Sequence, residues 1–284
     1  MQKKTSQKSP YPGADYGPES KKPSPLNAYE FAPIGVVRTG FAEKFGIPRQ
    51  PGMVLEAKGV IELKNHAFLT QACRMLETFS HLWLIFVFHE HGAKDWKPSI
   101  RPPRLGGRKK VGVLASRSPH RPNPIGLSAV RLDRIDFDDP TGTKIYVSGV
   151  DLLDGTPILD LKPYIPFADS IPEANAGWAS EPIAKFPVEF SETSTASLAL
   201  HQLRHADTNL RQMIIEMLEL DPRPASQKRK MPATDESSEG LRFAFTLFDV
   251  DVKWEIRGER FIVLDVEDLV DGKPRGRVKQ EGLT

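Results

Sequence analysis

The stretch that organises the fold is Leu82-Trp-Leu-Ile-Phe-Val-Phe88, the longest apolar run in the chain. A β-strand turns successive side chains to opposite faces, so this run presents apolar groups on both faces. Such a strand is typical of the middle of a sheet that is covered on its two sides. The run is far too short to span a bilayer, so it does not indicate a membrane segment. We expect a central, fully buried strand here.

Shorter stretches on either side of this run alternate or break at glycine and proline, as strands and turns do. The strands expected there cover residues 31–37, 59–63, 111–115, 127–132 and 144–149. One helix is expected over residues 65–77, where Phe68, Ala72 and Leu76 recur at spacings of four. Many short strands with little helix are typical of a β-barrel or sandwich, and no G-x-G-x-x-G fingerprint of a dinucleotide-binding sheet occurs. The sequence therefore predicts a mainly β fold.

The chain changes character after residue 190. Helical spacing relates Leu200, Leu203, Leu210, Ile214 and Met217, and residues 207–209, Asp-Thr-Asn, are expected to break the helix and cap a new one. Residues 226–240 are polar and predict a mobile loop. Two strands are expected beyond it, over residues 242–256 and 260–266. We expect a small α+β C-terminal domain over residues 191–284, after a β domain over residues 29–190.

Composition limits the class of protein. The 284 residues carry a net charge of +2, so a polyanionic partner would meet local cationic patches rather than a strong overall field. The one cysteine, Cys73, excludes an internal disulfide and a Cys-x-x-Cys metal site. Residues 1–28 hold five prolines, five lysines and no apolar signal-peptide run. We expect a disordered basic tail on a soluble, cytoplasmic protein.

A second stretch is chemically particular: residues 116–126 read Ser-Arg-Ser-Pro-His-Arg-Pro-Asn-Pro-Ile-Gly. Its three prolines fix the backbone, and the residues before them are held near extended geometry. Arg117, His120, Arg121 and Asn123 therefore point in fixed directions and lose little entropy when they bind a ligand. A rigid surface turn with solvated arginines would have similar features. The density of hydrogen-bond donors favours a preorganised clamp for an anion or a small molecule.

Three other places carry candidate functional side chains. The stiff turn at residues 47–52 offers one cation and one amide, and is equally consistent with a hairpin tip. Asp154 lies in a tight turn, where an aspartate usually caps its own backbone but can also accept a proton or hold a ribose hydroxyl. His89 and His91 would lie on one strand face, as a metal site requires. No third ligand is spaced nearby, so no metal is expected.

Residues 101–110, Arg-Pro-Pro-Arg-Leu-Gly-Gly-Arg-Lys-Lys, contain five cations and no acidic residue. Charge runs are generally solvated faces, yet a basic loop with glycine and proline also suits a phosphate backbone. A second basic run follows Arg223 and includes residues 228–230. Neither run by itself distinguishes a solvated surface from a nucleic-acid-binding surface.

Taken together, these stretches resemble the TrmO, or TsaA-like, family. The resemblance covers about residues 30–225 and rests on segments 47–52, 79–89, 101–107, 116–126, 153–164 and 221–225. Members are S-adenosylmethionine-dependent tRNA methyltransferases that act on N6 of N6-threonylcarbamoyladenosine, next to the anticodon at position 37. The resemblance implies a single β-barrel catalytic domain rather than a Rossmann sheet, a small α+β C-terminal domain and a homodimer.

The resemblance also implies the residues of the site. Those expected to hold the methyl donor are Arg49, Gln50, Pro51, Gly52, His89, Glu90, Arg117, Arg121, Asn123, Pro124, Ile125, Gly126, Leu153 and Asp154. Asp154 and His89 are the candidate bases, because the acceptor nitrogen shares its lone pair with two neighbouring groups and is a weak nucleophile. The cations expected to contact the tRNA anticodon loop are Arg101, Arg104, Arg108, Lys109, Lys110 and Arg223.

Two features leave alternatives open. Ser226 follows Asp-Pro-Arg-Pro-Ala, where family members often carry an aromatic residue, and the polar stretch 227–240 looks like an addition. A barrel that binds S-adenosylmethionine as a signal without turnover is consistent with the donor motifs, as is a methyltransferase with another acceptor. A metal-dependent hydrolase that uses His89 and His91 is the third alternative.

Overall fold

The computed structural model describes residues 29–91, 96–270 and Gly272, so the expected N-terminal tail at residues 1–28 lies outside the described residues. The strands are β1 Gly35–Thr39, β2 Lys58–Leu63, β3 His81–Val87, β4 Ser99–Ile100, β5 Val111–Gly112, β6 Ile125–Asp136, β7 Lys144–Ser148, β8 Thr156–Pro163, β9 Val188–Phe190, β10 Arg242–Leu247, β11 Val250–Arg257 and β12 Arg260–Asp268. The helices are α1 Ala67–Ala72, α2 Pro166–Asp169, α3 Glu192–Gln202, α4 Leu210–Leu218 and α5 Ala225–Lys230.

Six strands close into an antiparallel barrel in the order β1-β2-β7-β6-β3-β8. The apolar run forms β3, between β6 and β8. Its inward side chains, Leu82, Leu84 and Phe86, are buried, whereas the outward Trp83 and Val87 are half-buried. The mainly β prediction is confirmed, but the expectation of two buried faces is wrong, because a closed barrel hides only its inner face.

Alternate positions of the strands fill the barrel interior. Val37, Ile61, Leu84, Ile145 and Ile158 come from five different strands, and each is fully buried. The two-residue period of strand side chains explains this pattern, which β2 shows over its whole length. The interior is therefore a packed apolar core, and a ligand site must lie at an end of the barrel.

Two elements of the barrel domain differ from expectation. The expected strand at residues 111–115 is the short β5 followed by a 3-10 turn, in which the hydroxyl of Ser116 donates to the Val113 carbonyl at 2.7 Å. The expected helix at residues 65–77 is limited to α1, because Met75 adopts a left-handed φ of 69° and a separate 3-10 turn follows. In both places a local backbone feature ends the periodic pattern early.

A second unit is built on a four-stranded sheet in the order β10-β11-β12-β9, against which α3 packs. Strand β9 runs parallel to β12 and precedes residue 191, so this sheet begins earlier than the expected domain boundary. The single strand expected over residues 242–256 is a hairpin of β10 and β11, since Phe248 takes a φ of 53° at the turn between them. The expected small α+β domain is therefore present with shifted bounds.

The helices of this unit begin at side-chain caps. Asn209 caps α4, and its side-chain oxygen accepts from the Gln212 amide at 3.0 Å, so the cap expected within residues 207–209 is confirmed. Ile214 is fully buried as its spacing predicts, but Leu200 and Leu203 are 70% and 79% exposed. Among the described residues, no helix is both long and apolar enough to cross a membrane.

The polar segment 226–240, expected to be a mobile loop, has regular structure and buried residues. It begins within α5, and Met231, Ala233 and Ser238 are buried after it. The hydroxyl of Ser238 donates to the Pro232 carbonyl at 2.6 Å. The loop prediction is wrong here because a few apolar and hydroxyl side chains anchor an otherwise polar segment.

The connection between β1 and β2 joins the two units. The Phe248 amide donates to the Gly40 carbonyl at 2.8 Å, and the Glu56 amide donates to the Glu216 carboxylate at 3.0 Å. Gly46 has a φ of 94°, and a Cβ atom there would lie 3.3 Å from the Met217 side chain. These contacts place the stiff turn at residues 47–52 against the second unit.

Candidate functional site

A cavity of about 660 Å³ opens at one end of the barrel, where β1, β3 and β7 end and β2, β6 and β8 begin. Its lining residues are Lys44, Ile47, Pro48, Arg49, Gln50, Phe86, Val87, Phe88, His89, Glu90, His91, Ser116, Arg117, Pro119, Arg121, Asn123, Ile125, Gly126, Leu127, Ser128, Asp151, Leu152, Leu153 and Thr156. The connections at this end bring four distant segments of the sequence together. Most residues expected to hold the methyl donor lie here, and Pro51, Gly52, Pro124 and Asp154 do not line the cavity.

The proline loop is held by its own hydrogen bonds. The Arg121 amide donates to the Pro119 carbonyl at 2.8 Å, and the Arg121 guanidinium donates to the Ser116 carbonyl at 3.2 Å. The guanidinium of Arg117 donates to the side-chain oxygen of Gln50 at 2.7 Å, which ties the loop to the stiff turn. Backbone and side chains are thus fixed by bonds in addition to the proline rings.

Three lining or neighbouring residues make close backbone contacts that shape this end of the barrel. The Pro124 carbonyl accepts from the Phe88 amide at 2.8 Å, and the Gly52 amide donates to the Gly149 carbonyl at 2.9 Å. A Cβ atom on Gly126 would lie 2.2 Å from the Phe86 ring. Glycine is required at residue 126 because β6 passes directly over that ring.

Arg49 links the cavity to the second unit. Its guanidinium donates to the Arg223 carbonyl at 3.0 Å. Burial lowers the pKa of Arg49, and the nearby charge of Asp221 opposes that shift. A guanidinium keeps its charge under such conditions, so Arg49 offers its remaining N–H groups to an anion in the cavity.

Asp154 lies outside the cavity. Its carboxylate accepts from the Thr39 amide at 3.0 Å and lies 3.8 Å from the Arg38 guanidinium. These contacts hold the end of β1 against the turn before β8. Asp154 as the catalytic base therefore stays a prediction, and the contacts of its carboxylate are with β1 rather than with the cavity lining.

Asp151 lines the cavity and was not among the residues expected from sequence. Its carboxylate accepts from the hydroxyl of Ser128, a buried residue of β6, at 2.6 Å. Burial raises the pKa of Asp151 to about 6, although the Ser128 hydrogen bond and the charge of Arg117 oppose the rise. One feature of the sequence could have pointed to Asp151: it closely follows a strand, at the barrel end where the other site motifs lie.

The histidines follow β3 rather than lying on it. His89 lines the cavity, and its Nε2 atom is 4.0 Å from the Glu90 carboxylate. His91 packs edge-on against the ring of His120, with 4.9 Å between centroids. The expectation of two imidazoles on one strand face is wrong, since the strand ends at Val87. Within residues 29–91 and 96–270, no group of three metal-ligating side chains is found.

Two cationic segments contact each other: residues 101–110, on the connection between β3 and β6, and residues 228–230, on α5. Arg101, Arg104, Arg108, Lys109 and Lys110 are all exposed. The Arg229 guanidinium, on α5, donates to the Gly106 carbonyl at 3.2 Å, so α5 lies against this segment. We call residues 101–110 together with residues 228–230 the cationic surface.

Arg223 does not belong to this surface. It is fully buried, and its guanidinium binds both carboxylate oxygens of Asp221 at 2.8 Å and the Met231 carbonyl at 2.9 Å. The expectation that Arg223 contacts tRNA is wrong, because all of these donors are directed into the protein. Ser226 is exposed on α5 nearby.

The chain matches known proteins over most of its length. The tRNA-methyltransferase O N-terminal domain matches residues 36–170, and the TrmO C-terminal domain matches residues 183–269. A tRNA (adenine(37)-N6)-methyltransferase of Escherichia coli is 40% identical over 85% of this chain and 99% of its own length. RcsF of Pseudomonas aeruginosa, a candidate S-adenosylmethionine-dependent methyltransferase, is 42% identical over 84% of this chain and 97% of its own.

Solved structures agree with the sequence matches. A crystal structure of TrmO from Pseudomonas aeruginosa superposes with a TM-score of 0.67 at 36% identity, over 85% of this chain and 99% of that one. Matches to one group of proteins thus cover both the barrel and the second unit, and the chain belongs to the tRNA-methyltransferase O family.

Proposed function

We propose that this protein is an S-adenosylmethionine-dependent tRNA methyltransferase that methylates N6 of N6-threonylcarbamoyladenosine at position 37, next to the anticodon. One observation carries the proposal: a barrel-end cavity unites the cations, amide and carboxylates of four separate motifs, and the connection between β3 and β6 that lines it also carries the exposed cations of residues 101–110. Membership of the family supports the same reaction.

The cavity suits the methyl donor in size and chemistry. A volume of about 660 Å³ is within the range of small-molecule sites. Arg49, Arg117 and Arg121 offer guanidinium groups that pair with a carboxylate, and the Asn123 amide can read an adenine edge. Glu90 offers negative charge that can pair with the ammonium or sulfonium group of the donor. No metal is needed for methyl transfer from a sulfonium, because its sulfur is already a good leaving group.

The cationic surface supports RNA as the acceptor. Exposed arginines and lysines bind phosphates largely through charge, whatever the base sequence. A base in the anticodon loop is single-stranded, so it enters a pocket at a smaller unstacking cost than a base in a duplex. The cationic surface would hold the phosphates on either side of the inserted base.

The reaction requires alignment of three atoms. The acceptor nitrogen is a weak nucleophile, so it must meet the methyl carbon in line with the breaking carbon–sulfur bond. The rigid proline loop and the stiff turn, joined by the bond between Arg117 and Gln50, supply a fixed frame for that alignment. A base that removes the N6 proton raises the reactivity of the nitrogen.

We infer further that the protein is a cytoplasmic homodimer, as the family resemblance implies. Ile125 and Leu127 leave 40% and 52% of their surface exposed on β6, next to the cavity, and would suit contact with a second copy. Light scattering of the purified protein measures the assembly directly. A monomeric mass at micromolar concentration would contradict the dimer.

The function is tested by methyl transfer with radiolabelled S-adenosylmethionine. Two preparations of the same tRNA are compared, one carrying threonylcarbamoyladenosine and one with unmodified adenosine at position 37. We expect label on the modified tRNA only, in a nucleoside whose mass increases by one methyl group. Donor binding without label on either tRNA would contradict the proposal and would favour a sensor or a different acceptor.

A further inference from the structure

We propose that Asp151, held at the barrel end by the hydroxyl of Ser128, is the catalytic residue that accepts the N6 proton of the acceptor base. This inference rests on the proposed function, because it assigns a group to the same transfer. It replaces Asp154, which lies three residues further along the chain and whose carboxylate holds the Thr39 amide instead.

The backbone around Asp151 is fixed before any ligand arrives. The amides of Gly149 and Val150 both donate to the Ala57 carbonyl, at 2.9 and 3.1 Å. The Leu152 carbonyl accepts from the Thr39 hydroxyl at 3.0 Å. Asp151 is therefore held between two anchored residues, and its side chain lines the cavity. A preorganised position of this kind is what proton transfer at a reacting atom requires.

Ser128 orients the carboxylate. It is 1% exposed and lies on β6, and its hydroxyl donates to one carboxylate oxygen of Asp151 at 2.6 Å. A hydroxyl on a barrel strand is a rigid support, whereas a solvent hydrogen bond would leave the carboxylate free to rotate. The bond also stabilises the ionised form, which is the form that accepts a proton.

The electrostatic surroundings make this carboxylate a stronger base than an ordinary one. Burial raises its pKa to about 6, and the Ser128 hydroxyl and the Arg117 charge limit the rise. The other cations of the cavity are Lys44, Arg49 and Arg121, and its remaining titratable groups are His89, Glu90 and His91. At neutral pH Asp151 is therefore mostly ionised and has a raised affinity for a proton, the two properties that a general base needs.

The step balances without any further reagent. The N6 lone pair forms a bond to the methyl carbon, the carbon–sulfur bond breaks, and its electron pair stays on sulfur. The N6 proton passes to a carboxylate oxygen of Asp151 and is later lost to solvent. The products are the methylated base and the neutral thioether.

The test combines Asp151→Asn with two companion variants. Asp151→Asn keeps the shape of the side chain and removes its basicity. Ser128→Ala removes the supporting hydrogen bond and is expected to raise the pKa of Asp151 further. Asp160→Asn is the matched control, because Asp160 pairs with Lys162 at 2.9 Å away from the cavity.

Three measurements are made on each protein: donor affinity by calorimetry, the single-turnover rate on threonylcarbamoyladenosine-bearing tRNA from pH 5 to 9, and carboxyl carbon NMR titration. We expect Asp151→Asn to keep donor affinity within about twofold and to lower the rate about 10²- to 10⁴-fold. The wild-type rate should fall below pH 6 with the midpoint of the Asp151 titration. Ser128→Ala should shift both midpoints upward together, and Asp160→Asn should match the wild type.

Several outcomes overturn the assignment. An unchanged rate or an unchanged acid limb in Asp151→Asn would show that another group takes the proton. Loss of donor binding in this variant would make Asp151 a ligand of the donor instead. If the wild-type protein labels no threonylcarbamoyladenosine, the proposed function itself fails and the base assignment fails with it, a result visible before any variant is made.

Discussion

The exposed segment Arg101–Lys110 and the buried pair Asp221 and Arg223 look alike as cation-rich sequence but have opposite surroundings. Every cation of the first segment is exposed, whereas Arg223 has no exposed surface. The difference lies in the neighbours, since residues 101–110 contain no acid and Arg223 follows an aspartate by two residues. A nearby acid allows a cation to be buried as a pair, and its absence leaves cations in water.

The two regions are therefore expected to contribute to different free energies: the buried pair to unfolding, and the exposed segment to binding of RNA. The buried pair stabilises the second unit close to Arg49, while the exposed segment is proposed to contribute only when a polyanion binds. Variants of the buried pair should change stability first, and variants of the exposed segment should change RNA binding alone.

The largest effect is expected for Arg223→Met. The change leaves Asp221 buried without its main partner, and breaking a buried pair in this way costs about 3–5 kcal/mol of unfolding free energy. Urea denaturation followed by circular dichroism measures the loss. The double variant Asp221→Asn with Arg223→Met should be less destabilised than the single one, since asparagine keeps the positive φ of 51° at residue 221 and removes the charge. A loss below about 1 kcal/mol would place Arg223 with the surface cations after all.

The next largest effect is expected for the triple charge reversal Arg101→Glu, Arg104→Glu and Arg108→Glu. The affinity for tRNA should fall at least about tenfold and its salt dependence should weaken, because fewer counterions are released. Donor affinity and melting temperature should stay unchanged. Filter binding at several salt concentrations measures the affinity for tRNA and its salt dependence. Calorimetry measures the affinity for the donor.

A matched triple variant controls for net charge. Lys64→Glu, Arg74→Glu and Lys162→Glu change the charge by the same amount near the opposite end of the barrel, where β2 and β8 end. Equal loss of tRNA affinity in both triples would mean that overall charge, rather than the cationic surface, governs binding.

A smaller effect, at the border between the two regions, concerns Lys228. Burial lowers its pKa to about 8 from 10.5, although Asp221 opposes the shift. Between these two values the unfolded chain binds more protons than the folded one, so this group makes the unfolding free energy rise with pH. Lys228→Met should remove that rise between pH 8 and 10 in denaturation experiments. Lys230→Met, on the exposed end of the same helix, should keep it.

The smallest effect is expected for Arg229→Ala, which removes the contact with Gly106. An exposed hydrogen bond of this kind contributes less than about 1 kcal/mol to stability. The affinity for tRNA should fall only a few-fold, by loss of one cation. A larger loss than in the triple reversal would show that the position of α5, rather than charge, controls the cationic surface.

Much of the fold could be predicted from the sequence because strand alternation is local. The apolar run at residues 82–88 and the strand at residues 127–132 were both found by pattern. The alternating pattern of the strands could not predict that the sheet closes into a barrel, because a β-sandwich buries the same alternating side chains. The hairpin turn at Phe248 was missed because a non-glycine residue at positive φ leaves no mark in the sequence.

Sequence motifs predicted the segments of the candidate site, but they could not show which carboxylate faces the cavity. The turn before β8 carries Asp151 and Asp154, and only the closed barrel decides which of them lies in the cavity. Sequence favoured Asp154 because it lies in a tight turn within residues 153–164, a segment that resembles the family. The environment of Asp151 depends on Ser128, a residue 23 positions away along the chain, and such a contact cannot be inferred from either residue alone.

Arg49 belongs to the cavity and, through its bond to the Arg223 carbonyl, to the loop at residues 221–224. Thermodynamic reciprocity then applies: a ligand that binds Arg49 better when this loop is docked must in turn hold the loop in place. Donor binding would slow hydrogen–deuterium exchange of amides in a loop that the donor never touches. A bound donor would thus stabilise the position of this loop against the barrel end.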